Sequence, residues 1–330
     1  MKQILNKLLE HEKLSRTEAS DILKEIAEEK YNEVSIASFL TVFRMRPITQ
    51  DELGGFRDAL LELCVKIDLG TTDTIDIVGT GGDGKNTFNV STLSAFVVAG
   101  AGYKVTKHGN YGVSSACGSS DVLKFLGYEF TNDAGVLRKQ LEDSNLCFLH
   151  APFFHPAMKT VAPIRRQLGI KTFFNMLGPL VNPIQPQHNL LGVYNQELSR
   201  LYQYILQKEA RNFSVVYALD GYDEISLTGP VSIRTRGTEK IYVPENFGFA
   251  PLKPAELFGG DTVPEAAKIF TNVLENKGTV AQKNVVLANA GMAIQSFEPD
   301  WSMLDCVAKA HESLTSGNAY KILKTITAFS

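Results

Sequence analysis

The sequence predicts an α/β protein: a small all-helical amino-terminal domain over residues 1–70, then a larger α/β domain over 71–330 built on a mostly parallel central sheet. Three observations predict it. Apolar residues recur at helical spacing through the first seventy positions without a β-branched run. From residue 74, short apolar strands alternate with helical patterns. The first of those strands ends in a turn with four glycines in six residues.

In the helical part, Ala19, Ile22, Leu23 and Ile26 fall at i, i+3, i+4, i+7, and Ile36, Phe39, Leu40 and Phe43 repeat the pattern. Ser15 with Glu18 and Thr49 with Glu52 have capping-box spacing and mark two helix starts. Pro47 stands in a break between helices. Beyond it, strands are expected at 75–78, 103–106, 148–149 and 214–219, with an antiparallel edge at 240–243. Helices are expected at 92–99, 121–126, 264–275, 281–295 and 303–316. Alternation of this kind implies a sheet covered on both faces, with sites at the carboxyl ends of its strands. No internal repeat or low-complexity tract interrupts the pattern.

Composition narrows the function. The chain has 330 residues, 44% hydrophobic and 21% charged, which excludes a disordered or collagen-like polymer. Lys plus Arg number 33 against 36 Asp plus Glu, a net charge of −3, so no positive excess exists for a nucleic-acid backbone. The four cysteines are far apart and form no C-x-x-C pair, so neither a zinc site nor a disulfide framework is indicated. Residues 1–10 contain no secretory apolar run, and the longest such run, 95–102, is far short of the roughly 20 residues that span a bilayer. A cytoplasmic protein with no membrane partner is expected.

Residues 79–86 read Gly-Thr-Gly-Gly-Asp-Gly-Lys-Asn and satisfy two phosphate-loop patterns at once. Neither fits. Dinucleotide binding needs an acidic residue about twenty positions on, where Lys107-His108 stands instead. A P-loop needs Ser or Thr after the lysine, and Asn86 occupies that place. What remains is a glycine turn whose backbone N–H groups can approach an anion.

Three further segments give the turn its context. Thr87-Phe88-Asn89-Val90-Ser91-Thr92 brings amide and hydroxyl donors to a helix start, where capping is the ordinary use of such residues and anion binding the second. Lys107 to Asn110, Gly112 to Ser115 and Gly118 to Asp121 form a second loop of glycines, hydroxyls and one lysine. Asp223 and Glu224 follow another strand, and adjacent carboxylates need either water or a cation. Beside two phosphate-compatible loops, magnesium is the better reading.

The stretches DIVGTGGD, TFNVST, KHGN, GSSDVL, HPAMK, VAPIRRQLG, FNMLGPLVNP and DEISLTGP, running in this order from Asp76 to Pro230, resemble the successive signatures of the anthranilate phosphoribosyltransferases. The resemblance implies the nucleoside phosphorylase/phosphoribosyltransferase type of fold. It implies transfer of phosphoribose from 5-phosphoribosyl 1-diphosphate to anthranilate in tryptophan biosynthesis. The donor site it implies comprises Gly79, Gly82, Asp83, Thr87, Asn89, Val90, Ser91, Thr92, Lys107, His108, Gly109, Asn110, Gly112, Val113, Ser114, Ser115 and Ser119. Anthranilate falls to Gly79, Asn110 and Arg165, and two Mg2+ ions to Ser91, Asp223 and Glu224. A homodimer through the helical parts is implied, as is a return of residues 165–186 to the helical domain.

Tyr111 departs from the family pattern, which usually has Arg after the asparagine of KHGN. Cys117 reads as a buried thiol without a catalytic role. His108 and His155 lie within the shared signatures and are expected near the acceptor, whereas His11, His150, His188 and His311 read as packing or surface residues. Arg165 suits an aromatic carboxylate better than an exposed helix face does. No acid–base or nucleophilic residue is needed, because an aromatic amine is already neutral at pH 7. Two rivals remain in view: a pyrimidine nucleoside phosphorylase, which needs no metal-binding doublet, and a non-catalytic relative that binds nucleic acid.

Overall fold

The computed structural model describes residues 1–112 and 117–329. The chain forms two units. One joins Met1–Ile67 to Ala151–Pro183, and the other joins Asp68–His150 to Ile184–Ser330.

The first unit is helical. Its helices Lys2–Leu9, Arg16–Ala27, Glu33–Met45 and Gln50–Leu63 are followed, after the excursion into the other unit, by Ala151–Phe154 and Ala157–Leu168. Both capping boxes form: Ser15 accepts from the Glu18 N–H and Thr49 from the Glu52 N–H, with each glutamate returning the bond. Glu52 does more than cap. It is fully buried, bonded to Arg46 at 2.5 Å and to the Leu14 N–H at 3.0 Å. The aromatic core centres on Phe56 and Phe173, stacked at 4.2 Å, with Phe39 and Phe43 edge-on to both. The returning segment is tied in by the Val65 N–H to the Phe154 oxygen (2.8 Å) and Arg57 Nε to the Leu180 oxygen (3.0 Å). It begins at Ala151, ahead of the 165–186 range.

The second unit carries a seven-stranded sheet: β1 Ile75–Gly79, β2 Val105–Gly109, β3 Leu146–His150, β4 His188–Gly192, β5 Asn212–Ala218, β6 Val231–Thr235 and β7 Thr238–Tyr242. The order is β3-β2-β1-β4-β5-β6-β7, parallel through β5 and antiparallel across the last two. Val216 and its partner Ile233 enter the large apolar cluster with the helices Val90–Gly100 and Val280–Gln295. Val215 and its partner Arg234 point the other way, where Arg234 meets Gln203 of the helix Gln196–Leu206. Both faces are therefore covered. β2 starts two residues later than the 103–106 expectation and takes in Lys107 and His108, expected at its end, which pair with Phe148 and Leu149. β4 and β6 have no counterpart among the expected strands; the polar starts His188-Asn189 and the charged Arg234 mask them. All four cysteines are buried and none forms a disulfide among the described residues.

Candidate active site

After β1 the chain proceeds outward to β2 and β3, whereas β4 and β5 lie on its other side, so the β1/β4 boundary is the point at which strand order reverses. Crevices form at the carboxyl ends of strands there. Those ends are Gly79 and Gly192, paired in register. Asp223, reached from the end of β5, lies on both: a β carbon on Gly79 would come within 2.3 Å of its Oδ2, and one on Gly192 within 1.6 Å of its main-chain oxygen. Only glycine permits that approach. The Gly81 N–H then donates to Asp223 Oδ2 at 2.7 Å, joining the glycine turn to the acidic segment.

Gly81, Gly82 and Gly84 all have positive φ (64°, 77° and 76°), the left-handed region in which successive amides can face one anion. A β carbon at Gly81 or Gly84 would meet nothing within 4 Å, so one side of the turn is open. Lys85 is not a P-loop lysine: its ammonium lies 4.7 Å over the Tyr222 ring, and its N–H donates to Asp83 Oδ1 at 3.0 Å. The turn is backed by a segment for which the sequence offers no signal, 257–260. Phe88 donates to the Leu257 oxygen (3.2 Å), Gly259 donates to the Asn86 oxygen (2.9 Å), and Thr87 and Phe258 form an antiparallel bridge.

Asp223 and Glu224 are half-buried. Burial, with the charge of Asp83 next, pushes Asp223 up to about 6, and burial with Asp223 and Asp83 raises Glu224 well above the usual carboxylate range. The Thr87 side chain hydrogen-bonds Glu224, but Glu224 Oε1 is buried without a partner. The Lys107 ammonium is turned inward, 2.5 Å from the Ile77 oxygen and 3.4 Å from Ser91 Oγ; burial lowers it to about 8 against the pull of Asp76 and Glu224. Among the described residues no three His, Cys, Asp or Glu side chains form a metal cage of their own. Hard oxygen donors, crowded negative charge and an unpartnered carboxylate oxygen fit magnesium in its common mode, held by one or two carboxylates with ligand phosphates completing the shell.

The second loop begins at the end of β2. The His108 N–H donates to Asp76 Oδ1 (3.1 Å), and the Asn110 oxygen accepts from Ser119 Oγ and the Ser120 N–H, both at 3.3 Å. Asp121 Oδ2 accepts from the N–H groups of Gly112 and Gly118, each at 2.9 Å, holding both stems of the loop. Val113, Ser114 and Ser115 lie outside the described residues. Asn89 occupies the N-cap position of Val90–Gly100 yet makes no capping bond; its Nδ2 donates to the Cys117 oxygen at 3.4 Å. Of the two readings of this helix start, capping is therefore not what Asn89 does. Val90 and Thr92 are buried. Tyr111 is edge-on to His150 at 4.9 Å, and His150 stacks on Phe130 at 4.4 Å, so His150 is a packing residue. His188 likewise packs, 4.2 Å from Phe297.

In the helical unit, Arg165 is half-buried, its Nη2 bonded to Asn175 Oδ1 (3.2 Å) and its guanidinium 5.3 Å over the Phe174 ring, while Arg166 is exposed. His155, also there, is buried. A cavity of about 460 Å³, lined in part by Arg211, Arg236 and Lys240, sits at the amino end of β5, away from the acidic segment. Arg211 and Arg236 are already spent on Gln185 and on main-chain oxygens, so the cavity is not a second anion cradle.

Residues 2–64 match the helical bundle domain of the glycosyl transferase family, and residues 71–320 match its a/b domain. Helical unit, switch-point crevice and acidic doublet thus define a glycosyl transferase. Within that class, an anthranilate phosphoribosyltransferase of Cytophaga hutchinsonii is 56% identical over 98% of this chain and 99% of its own. The solved anthranilate phosphoribosyltransferase of Thermus thermophilus superposes with a TM-score of 0.91 at 32% identity, covering 98% of each chain. That of Saccharomyces cerevisiae, in complex with PRPP and Mg, gives 0.91 at 30% identity over 98% of this chain and 96% of the other. The chain belongs to the anthranilate phosphoribosyltransferase family.

Proposed function

We propose that the chain transfers the 5-phosphoribosyl group from 5-phosphoribosyl 1-diphosphate to the amino group of anthranilate, releasing diphosphate, as a step of tryptophan biosynthesis. One observation carries the chemical reading: Asp223 bridges the open glycine turn to a carboxylate doublet at the switch point. Phosphate oxygens take the turn amides and the helix start near Val90 and Ser91, while Asn110 and the Gly109–Gly112 stem flank the ribose. Gly79, Asn110 and Arg165 are assigned to anthranilate on the family resemblance alone.

The C1–O bond to diphosphate breaks, a C1–N bond forms, and the amine proton leaves to water. No side chain of the chain is assigned as acid, base or nucleophile; its work is to bind and orient. Ser91 with Glu224, and Asp223 with Glu224, would each hold one of two magnesium ions. When bound, magnesium neutralises the charge gathering on the departing diphosphate. A homodimer through the helical unit is part of the same reading, supported by Leu9, Val34 and Met45, which are 63%, 77% and 81% exposed. Four cysteines without a disulfide among the described residues suit the reducing cytoplasm.

The test mixes the protein with anthranilate, 5-phosphoribosyl 1-diphosphate and magnesium and follows loss of anthranilate fluorescence. Turnover that stops on chelation is expected. Magnesium-independent phosphorolysis of a pyrimidine nucleoside, with no loss of anthranilate, would overturn the assignment in favour of a phosphorylase.

A further inference from the structure

Asn289 stands within an otherwise apolar stretch of the helix Val280–Gln295 and is 4% exposed. Its Oδ1 accepts the Ile225 N–H at 3.1 Å, and its Nδ2 donates to the Ile225 oxygen at 2.9 Å and to the Val285 oxygen at 2.8 Å. Both amide donors and the carbonyl are therefore in use. Bonding the N–H and the C=O of one residue together, the side chain does for Ile225 what a neighbouring strand would do.

Ile225 directly follows Glu224. On the Asp223 side, the segment is already fixed by its contact with Gly79 and Gly192. Two residues beyond Ile225, Leu227 has φ 60°, a conformation that a non-glycine residue holds only under constraint from its surroundings. Its oxygen accepts the Leu252 N–H at 2.9 Å. The doublet is thus anchored before and after, and the anchor adjoining Glu224 is a side chain from a distant helix. Asparagine is a poor helix former, and a leucine at this buried position would add apolar contact. An amide here serves the acidic segment rather than the helix.

We propose that Asn289 is a positioning residue for the magnesium–diphosphate site, setting the Glu224 carboxylate through the backbone of Ile225. This rests on the functional reading above. The test compares wild type, Asn289→Ala, Asn289→Ser and, as a control for general loosening of the same helix, Leu287→Ala at a buried position. Two quantities are read: the magnesium concentration giving half-maximal turnover, and the rise in melting temperature caused by magnesium chloride plus 5-phosphoribosyl 1-diphosphate.

Unpairing the Ile225 groups should raise half-saturating magnesium about tenfold in Asn289→Ala and remove most of the ligand-induced rise in melting temperature. Asn289→Ser, whose hydroxyl is too short to bond Ile225 on both sides, should behave alike if the alanine variant folds poorly. Leu287→Ala should melt lower without ligand yet keep the wild-type magnesium response and the full ligand-induced rise. Asn289 variants that respond to magnesium and donor like Leu287→Ala overturn the positioning role alone. A wild type that neither turns over nor melts higher with magnesium and donor overturns the functional reading, and the role of Asn289 with it.

Discussion

The main-chain oxygen of Asp223 fills the space that a Gly192 side chain would need: a β carbon on Gly192 would lie 1.6 Å from it. At Gly79 the nearest atom is instead the end of the Asp223 side chain, at 2.3 Å. A carboxylate can rotate; a main-chain oxygen moves only if its whole segment shifts. Gly192→Ala should therefore cost on the order of 1–3 kcal/mol of stability together with more than about a hundredfold in kcat/KM. Gly79→Ala should keep most of the stability while losing activity through the displaced carboxylate. Denaturant melts and initial rates on both variants check the contrast.

The acidic doublet stores repulsion that a cation relieves. In Glu224→Gln the Thr87 contact can persist and the crowded charge goes, so the ligand-free protein should gain on the order of 1 kcal/mol while magnesium-dependent turnover falls by about a hundredfold or more. The sign follows from Glu224 itself, which burial and the charges of Asp223 and Asp83 raise well above the usual carboxylate range. A raised carboxylate pKa favours the fold at low pH, and that contribution is lost as pH rises above the usual carboxylate range. The stability gain of the variant should be absent at pH 4 and grow as pH rises above it in thermal melts.

Asp121 grips the N–H groups of Gly112 and Gly118 with a single oxygen. Asp121→Ala should cost about 1 kcal/mol, as loss of a helix cap does, and raise KM for the phosphoribosyl donor about tenfold with KM for anthranilate little changed. Equal increases for both substrates would count against this.

His150, packed between Tyr111 and Phe130, is pushed down to about 4 by burial from an ordinary 6.5. The fold refuses a proton that the unfolded chain accepts, so stability is full above pH 6.5 and declines as pH falls toward 4, by at most about 3 kcal/mol. His150→Phe keeps the stack and should flatten that decline. His155, lowered by burial to about 4 as well, should account for part of the slope that remains. Urea titrations at half-unit pH steps would show it.

Legibility in the sequence followed the reach of each signal. Ser15 and Thr49 announced their helices because a capping box spans three residues. The strand at 75–78 and the helix at 281–295 were legible because apolar runs set them, and the structure extends each by a single residue. β4 was not, because five residues opening on His188 and Asn189 look like loop until β1 and β5 are seen on either side. The same limit applies at the site. Gly79, Asp223 and Glu224 sit in recognisable runs, but the glycine turn is backed by 257–260, and Ile225 beside Glu224 is held by Asn289, sixty-four residues away. Such partners carry no local pattern. Lys85 is the converse case: it satisfies a lysine motif by spacing and is turned onto Tyr222 by packing, so Lys85→Met should leave kcat within about threefold of wild type.

Since Cys64, Cys117, Cys147 and Cys306 are all interior, a cysteine engineered onto the outer surface would be the one thiol that reacts quickly with maleimide. A fluorophore attached there could report arrival of the phosphoribosyl donor in an otherwise native background, with no preliminary stripping of endogenous sulfur.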